Sequence, residues 1–331
     1  MKTILSVDGG GIRGIIPLHA LVRLESHSAR PCRELFDMVA GTSTGAIIAA
    51  GLALGISARG LLAMYREMAS KAFRRLPFFR IIANRGNHRY DNRFLQETLD
   101  SIGAGIPLNA LPIDVMLTGK NTLTGRTDFF VRDNPVNASL WGTISLTDAV
   151  LASIAAPTYF PPHSAVVRGQ LQTWVDGGVG VAGNPCYQAA VEALQFGAGR
   201  YQPGDVRLLS FGTGRTPHPI DAPRANIVQW AGWVLSEVLE DSGDWQTYIT
   251  RREYGISGKL DFRRYQLDLS PEVMAQIGVV PPAGVDVASI AMDSIWAVDL
   301  LDQIGRAFAD AIDFNQPEGL ELIAGAPILS S

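Results

Sequence analysis

FDMVAGTSTGAIIAAGLAL, residues 36–54, changes character twice within a short span. FDMVA, 36–40, is a short apolar run, and AIIAAGLAL, 46–54, is a longer one without charge. Between them lies GTSTG, 41–45. The pattern predicts a buried strand that feeds a helix through a glycine-flanked turn. In G-x-S-x-G the serine sits on a strained strand-to-helix turn, and the glycines remove side chains that would clash there. Ser43 is therefore a candidate nucleophile, and Gly41 and Gly45 are the residues that permit its turn. A tight turn without chemistry is the competing reading, because in a chain with 34 glycines the motif alone is weak.

The alternation of apolar runs and glycine-rich ends continues on both sides. TILSV, 3–7, reads as a buried strand ending in Asp8, and GIIPLHALVRLE, 14–25, has helical spacing. IDVMLTG (113–119), TDFFVRD (127–133), LQTWVDGG (171–178) and VRLLSFGTG (206–214) predict strands. Helices are predicted over 58–70 with Ser57 as cap, over 92–102, and over 146–156 with Pro157 as the stop. Asn184 is expected to cap a helix that carries Pro185 at its first position. Beyond residue 215 helical patterns dominate, with one alternating strand at DFRRYQLDL, 261–269. Strands alternating with helices predict a layered α/β sheet. Sites in such sheets gather at the carboxyl ends of strands, where DGGG, GTSTG, VDGG and FGTG all fall.

Composition narrows the classes. The chain has 331 residues, 47% hydrophobic and 18% charged, enough for one large domain or two unequal ones. A formal net charge of −4 argues against a nucleic-acid binder. Cys32 and Cys186 form no C-x-x-C and no metal spacing, so a reducing compartment and no metal are expected. The N-terminus lacks a signal-length apolar run, and AIIAAGLALGI, 46–56, is too short to span a bilayer. These features predict a soluble cytoplasmic protein.

A nucleophilic serine needs a base and an oxyanion hole. The chain has five histidines, and only His218 follows the VDGG segment, as a Ser…Asp…His order would require. The other candidate base is Asp176 in WVDGG. A carboxylate takes a hydroxyl proton directly if held within hydrogen-bond reach and if burial raises its pKa. Gly177 and Gly178 let the chain turn away and leave that carboxylate accessible; a strand-ending turn aspartate is the plainer reading of the spacing. DGGGIRG, 8–14, matches G-x-G-x-x-G at Gly9, Gly11 and Gly14 and suits an anion, because free backbone N–H groups and a helix dipole point at the ligand. It fits a dinucleotide pyrophosphate or an oxyanion. The dinucleotide reading wants a second strand ending in an acid about 20 residues on. That strand is missing, and Asp37 starts the strand that delivers Ser43, so the oxyanion reading is preferred.

DGGGIRG, GTSTG and DGG in this order resemble the patatin-like phospholipases. LFDMVAGTSTG, ASIAAPTYFPP (152–162), DGGVGVAGNP (176–185) and LLSFGTG (208–214) strengthen the resemblance, which covers about residues 3–215. It implies a layered α/β/α patatin-like fold with a central, mostly parallel sheet and a nucleophile elbow. It implies a catalytic part over 1–215, with a mostly helical part over 216–331 packed on the same domain. By the resemblance Ser43 is the nucleophile and Asp176 the base, without histidine. The amides of Gly10, Gly11 and Thr44 form the oxyanion hole, and Arg13 orders the loop or stabilises an anion. Asp8, Gly9, Gly14, Gly41, Gly45, Gly177 and Gly178 support these motifs. The implied substrate is a phospholipid or other fatty-acyl ester, with no cofactor, and bacterial members of similar length imply a cyclic nucleotide activator.

KAFRRLPFFRIIANRGNHRYDNR, 71–93, carries a local basic excess with interleaved phenylalanines. Arg74, Arg75, Phe78, Phe79 and Arg80 are candidates for contact with an anionic membrane surface or another anion, against the alternative of an ordinary packed segment. Trp230, Trp233 and Trp245 are read as core or partner-packing residues, with the lining of an acyl groove as the alternative. A His218-dependent serine esterase and a non-catalytic nucleotide-binding module are the two alternatives to the acyl hydrolase.

Overall fold

The computed structural model describes residues 1–73, 88–135, 140–216 and 220–324. Its strands are β1 (Lys2–Val7), β2 (Met38–Gly41), β3 (Asp114–Asn121), β4 (Thr127–Val131), β5 (His163–Val167), β6 (Gln170–Asp176), β7 (Val206–Phe211), β8 (Asp261–Leu267) and β9 (Gly319–Leu322). They form one sheet in the order β5-β6-β3-β2-β1-β7-β8-β9, with β4 also paired to β3. β3, β2, β1, β7, β8 and β9 run parallel to one another. β4, β5 and β6 are joined by antiparallel pairings.

The continuous apolar runs seen in the sequence follow from burial on both sheet faces. Successive residues serve opposite faces: Leu5, Val39, Val115, Leu117 and Leu209 belong to one core, and Ile4, Met38, Met116 and Leu208 to the other. The first core is covered by the helices Ile15–Ser28, Thr44–Ala53, Ala58–Ala72, Arg93–Ser101, Leu146–Ser153 and Val298–Ala311. The helix Cys186–Val191 and Tyr254 cover the second. The result is the α/β/α layering.

Three local readings differ from the structure. The helix expected over 146–156 ends at Ser153: the Ala156 amide leaves the helical ladder and donates to the Ile154 carbonyl at 2.7 Å, and the Ala155 carbonyl accepts from the Asp176 amide at 3.0 Å. The helix expected to start at Pro185 starts at Cys186, and Asn184 Oδ1 accepts from the Cys186 amide at 3.0 Å. The strand DFRRYQLDL does not alternate in burial, since neighbours and helices enclose both its faces and its arginines are paired. β5 and β9 are sheet-edge strands that the sequence pattern did not reveal.

β8 ties the later part of the chain to the start. Arg264, 2% exposed, forks onto both carboxylate oxygens of Asp8 at 3.0 and 2.6 Å and onto Ser210 Oγ at 2.8 Å. Removing one partner of such a buried pair leaves an uncompensated charge. Arg264→Met is expected to cost about 3–5 kcal/mol in urea unfolding, and Asp8→Asn in the same chain is expected to restore most of that loss.

Candidate active site

Strand register places the site. Val7 lies level with Gly41 on β2 and with Phe211 on β7. Two residues beyond, at the carboxyl ends, Gly9 comes level with Ser43 on one side and Thr213 on the other. Gly41 is opposite Leu117 on β3, so Ser43 comes level with Gly119. Gly119 is paired with Asp176. β6 is antiparallel and meets β3 only through Trp174–Asp176, so the β5–β6 hairpin enters from beyond the carboxyl edge and delivers Asp176 to the row. Residues far apart in the chain thus meet because pairing aligns them.

Ser43 has φ 54° and ψ −122°, a conformation that side chains other than hydrogen disfavour. The flanking glycines let the turn exist. A Cβ on Gly41 would lie 2.1 Å from the Gly45 carbonyl oxygen, and one on Gly45 would lie 2.1 Å from that of Val7. The Ser43 amide donates to Ser153 Oγ at 2.9 Å, and Ser153 is fully buried. The segment Ser153–Ala155 therefore stitches the two halves of the site, holding Ser43 through Ser153 and Asp176 through the Ala155 carbonyl.

The Asp176 carboxyl is 5% exposed. Burial pushes its pKa up to about 6, against hydrogen bonding to the Ser43 side chain and the Gly178 amide, which lower it. Gly178 N–H donates to Oδ1 at 2.7 Å. Gly177 packs on Thr118, whose hydroxyl shares a 2.7 Å hydrogen bond with that of Thr42. A buried carboxylate titrating near neutrality beside a serine hydroxyl is able to take its proton.

The glycine loop leans on this pair. A Cβ on Gly9 would lie 3.2 Å from that of Ser43, and Gly14 packs against Thr44 and Tyr65. Among the described residues, the amides of Gly10, Gly11 and Thr44 meet no acceptor. Tyr65 donates its hydroxyl to the Gly11 carbonyl and bonds Thr44 Oγ1, joining the loop to the start of the helix Thr44–Ala53. Arg13 is buried with Nη1 3.2 Å from Thr216 Oγ1.

Two cavities meet at Ser43. One of about 390 Å³ is lined by Arg13, Asp176, Thr213, Arg215 and Gln266 among others. The other, about 50 Å³, is apolar and lies between Ile47, Met68, Leu95, Ile154 and Phe160. Ile47, Met68, Leu95 and Ile154 also line a smaller apolar void of about 20 Å³ deeper between the helices. Ser43, Tyr159 and Met292 border both main cavities.

Arg74, Arg75, Phe78, Phe79 and Arg80 lie outside the described residues, as does His218. At the described ends of the 71–93 segment, Phe73 packs edge-on against Tyr90 with ring centroids 5.3 Å apart, and Arg89 stacks on Tyr159. Trp245 is 56% exposed and stacked on Tyr248, so it is not a core residue. Among the described residues no His, Cys, Asp or Glu cluster could hold a metal, and no helix is long and apolar enough to cross a membrane.

Sequence reading missed Ser153, Thr213 and Arg264. Ser153 and Thr213 lie in ASIAAP and FGTG, where a small hydroxyl residue carries no local sign of a role. Arg264 had no signal beyond being charged inside a strand pattern.

The model of the family described as patatin-like phospholipase matches residues 5–190. A cGAMP-activated phospholipase of Escherichia coli is 32% identical over 241 residues, covering 70% of this chain and 67% of the relative. One of Vibrio cholerae is 34% identical over 228 residues, covering 63% of each chain. A third, of Pseudomonas aeruginosa, is 33% identical over 261 residues, covering 76% of this chain and 75% of the relative. With more than half of its length inside the family model and these relatives about a third identical, the chain belongs to the patatin-like phospholipase family of carboxylic ester hydrolases.

Proposed function

We propose that this protein hydrolyses fatty-acyl esters of phospholipids through Ser43 and Asp176, without histidine. The observation that carries the reading is the buried Asp176 carboxyl beside the hydroxyl of a strained serine, where burial raises its pKa. As the Ser43 oxygen attacks the ester carbonyl carbon, Asp176 takes its proton. The amides of Gly10, Gly11 and Thr44 receive the oxyanion. The intermediate collapses to an acyl-enzyme, and Asp176 gives its proton to the departing lysolipid oxygen. Water then attacks the acyl-enzyme, its proton passes to Asp176, and Ser43 is released with the fatty acid free. Acyl transfer of this kind depends heavily on preorganised oxyanion donors.

The two cavities divide the substrate. The apolar chamber suits an acyl chain, and the larger cavity with Arg13 on its wall suits the phosphate-bearing alcohol. Such substrates sit in a bilayer, so the protein works at a membrane surface. The relatives named cGAMP-activated phospholipases support a cyclic nucleotide as activator of this chain.

Fatty-acid release from mixed phospholipid vesicles, with and without cGAMP, tests the whole reading. Release is expected to rise with cGAMP and to fall at least about 10³-fold in Ser43→Ala and in Asp176→Asn. Release that survives Ser43→Ala would falsify the assignment. The working base is the carboxylate, so kcat/KM is expected to fall as pH drops through about 6.

Stability carries the opposite signature. The folded state raises the Asp176 pKa from 3.8 to about 6, so it binds a proton more tightly than the unfolded chain and loses stability as pH rises between those values. Asp176→Asn escapes that loss. It is expected to exceed wild type by roughly 1–3 kcal/mol in denaturant unfolding at pH 7 and to match it near pH 4. Filling the apolar chamber by Met68→Trp is expected to shift the preference from long-chain toward short-chain esters by about tenfold in relative kcat/KM. An unchanged chain-length profile would remove the chamber from the acyl site.

A further inference from the structure

We infer that Thr213 is a positioning residue whose hydroxyl aims the Gly10 amide at the oxyanion. The inference rests on the acyl-hydrolase reading above and adds a side chain to the reaction's machinery. Thr213 follows β7 in FGTG, is 3% exposed and lines the 390 Å³ cavity. Its Oγ1 donates to the Gly9 carbonyl oxygen at 2.6 Å.

The peptide linking Gly9 to Gly10 is planar, and in a trans peptide the N–H points opposite to the C=O. β1 lies between β2 and β7. Thr213 therefore holds the carbonyl toward the β7 side, and the Gly10 N–H is turned toward β2, the side on which Ser43 stands. That amide has no acceptor among the described residues.

The neighbouring groups are fixed by the backbone itself. The Gly9 amide donates to the Gly183 carbonyl at 2.9 Å, and the Gly10 carbonyl accepts from the Arg13 amide at 3.2 Å. The Gly9 carbonyl depends on the Thr213 side chain, as the Gly11 carbonyl depends on Tyr65. The fit is close: a Cβ on Gly10 would lie 2.2 Å from Thr213 Oγ1 and 2.6 Å from Thr213 Cβ, so only glycine fits beside Thr213. The hydroxyl also polarises the peptide it binds, which makes the Gly10 N–H a stronger donor.

Thr213→Val keeps the shape and deletes the donor. Thr213→Ala deletes it without adding a methyl group against the loop, and serves if the valine variant does not fold. Thr213→Ser keeps the donor. Steady-state hydrolysis of p-nitrophenyl butyrate and deuterium uptake by residues 8–14 are measured on all of them. Loss of the hydroxyl is expected to lower kcat about 10–100-fold with KM unchanged, less than deletion of an oxyanion donor would cost. Uptake by the glycine loop is expected to rise, and Thr213→Ser to restore both readouts. A folded variant without the hydroxyl and with unchanged kcat overturns the inference. So does a loss that appears in KM, which would make Thr213 a substrate contact. A wild-type protein that hydrolyses no ester with cGAMP present overturns the acyl-hydrolase reading, and the inference with it. Active wild type beside unaffected variants overturns the inference alone.

Discussion

Ser43 holds a backbone conformation that its own side chain disfavours, at φ 54° and ψ −122°. Strain of this kind costs of the order of 1–3 kcal/mol and persists only where the surroundings over-determine it. Here they do. The helix Thr44–Ala53 must pack so close to β1 that Gly45 touches the Val7 carbonyl. The Ser43 amide, which a turn would otherwise leave unsatisfied, is bonded to buried Ser153. The hydroxyl is thereby lifted out of the sheet edge toward the cavity.

Everything else at the site follows from strand register. Thr213, Gly9, Ser43 and Asp176 come from β7, β1, β2 and β6, and they meet because the pairings of these strands align them. Three of these strands arrive in the parallel direction. Asp176 arrives on an antiparallel hairpin that overlaps the sheet by only its last residues. That overlap brings the carboxyl into the row and leaves it beneath the loop that follows, where burial raises its pKa. The last third of the chain is not an appendage to this arrangement. β8 and β9 extend the same sheet, Arg264 neutralises Asp8 at the root of the glycine loop, and Met292 walls both cavities.

The central strands and the elbow were legible in the sequence because burial on both faces writes continuous apolar runs, and sharp turns write glycines. The edge strands were not. β5 (HSAVV) is half exposed and β9 (GLEL) is short, so neither offers a periodic pattern distinct from loop. Ser153 and Thr213 escaped for another reason. Each acts through one hydrogen bond to a backbone group more than a hundred positions away, and nothing local marks such a serine or threonine. Arg264 reads as a charge misplaced in a strand until Asp8 is set beside it. The pairing of Ser43 with Asp176 was open on spacing alone, since a strand-ending aspartate is common. It rested on the resemblance until the register placed the two side by side.

The central claim is that Ser43 is a nucleophile made reactive by Asp176. Mass mapping after exposure to a fluorophosphonate, in wild type and Asp176→Asn, tests it without any choice of lipid. The account predicts a single adduct on Ser43, formed more slowly as pH falls through about 6 and much more slowly in the variant. An adduct on another serine, or labelling of Ser43 at the same rate in Asp176→Asn, would contradict it.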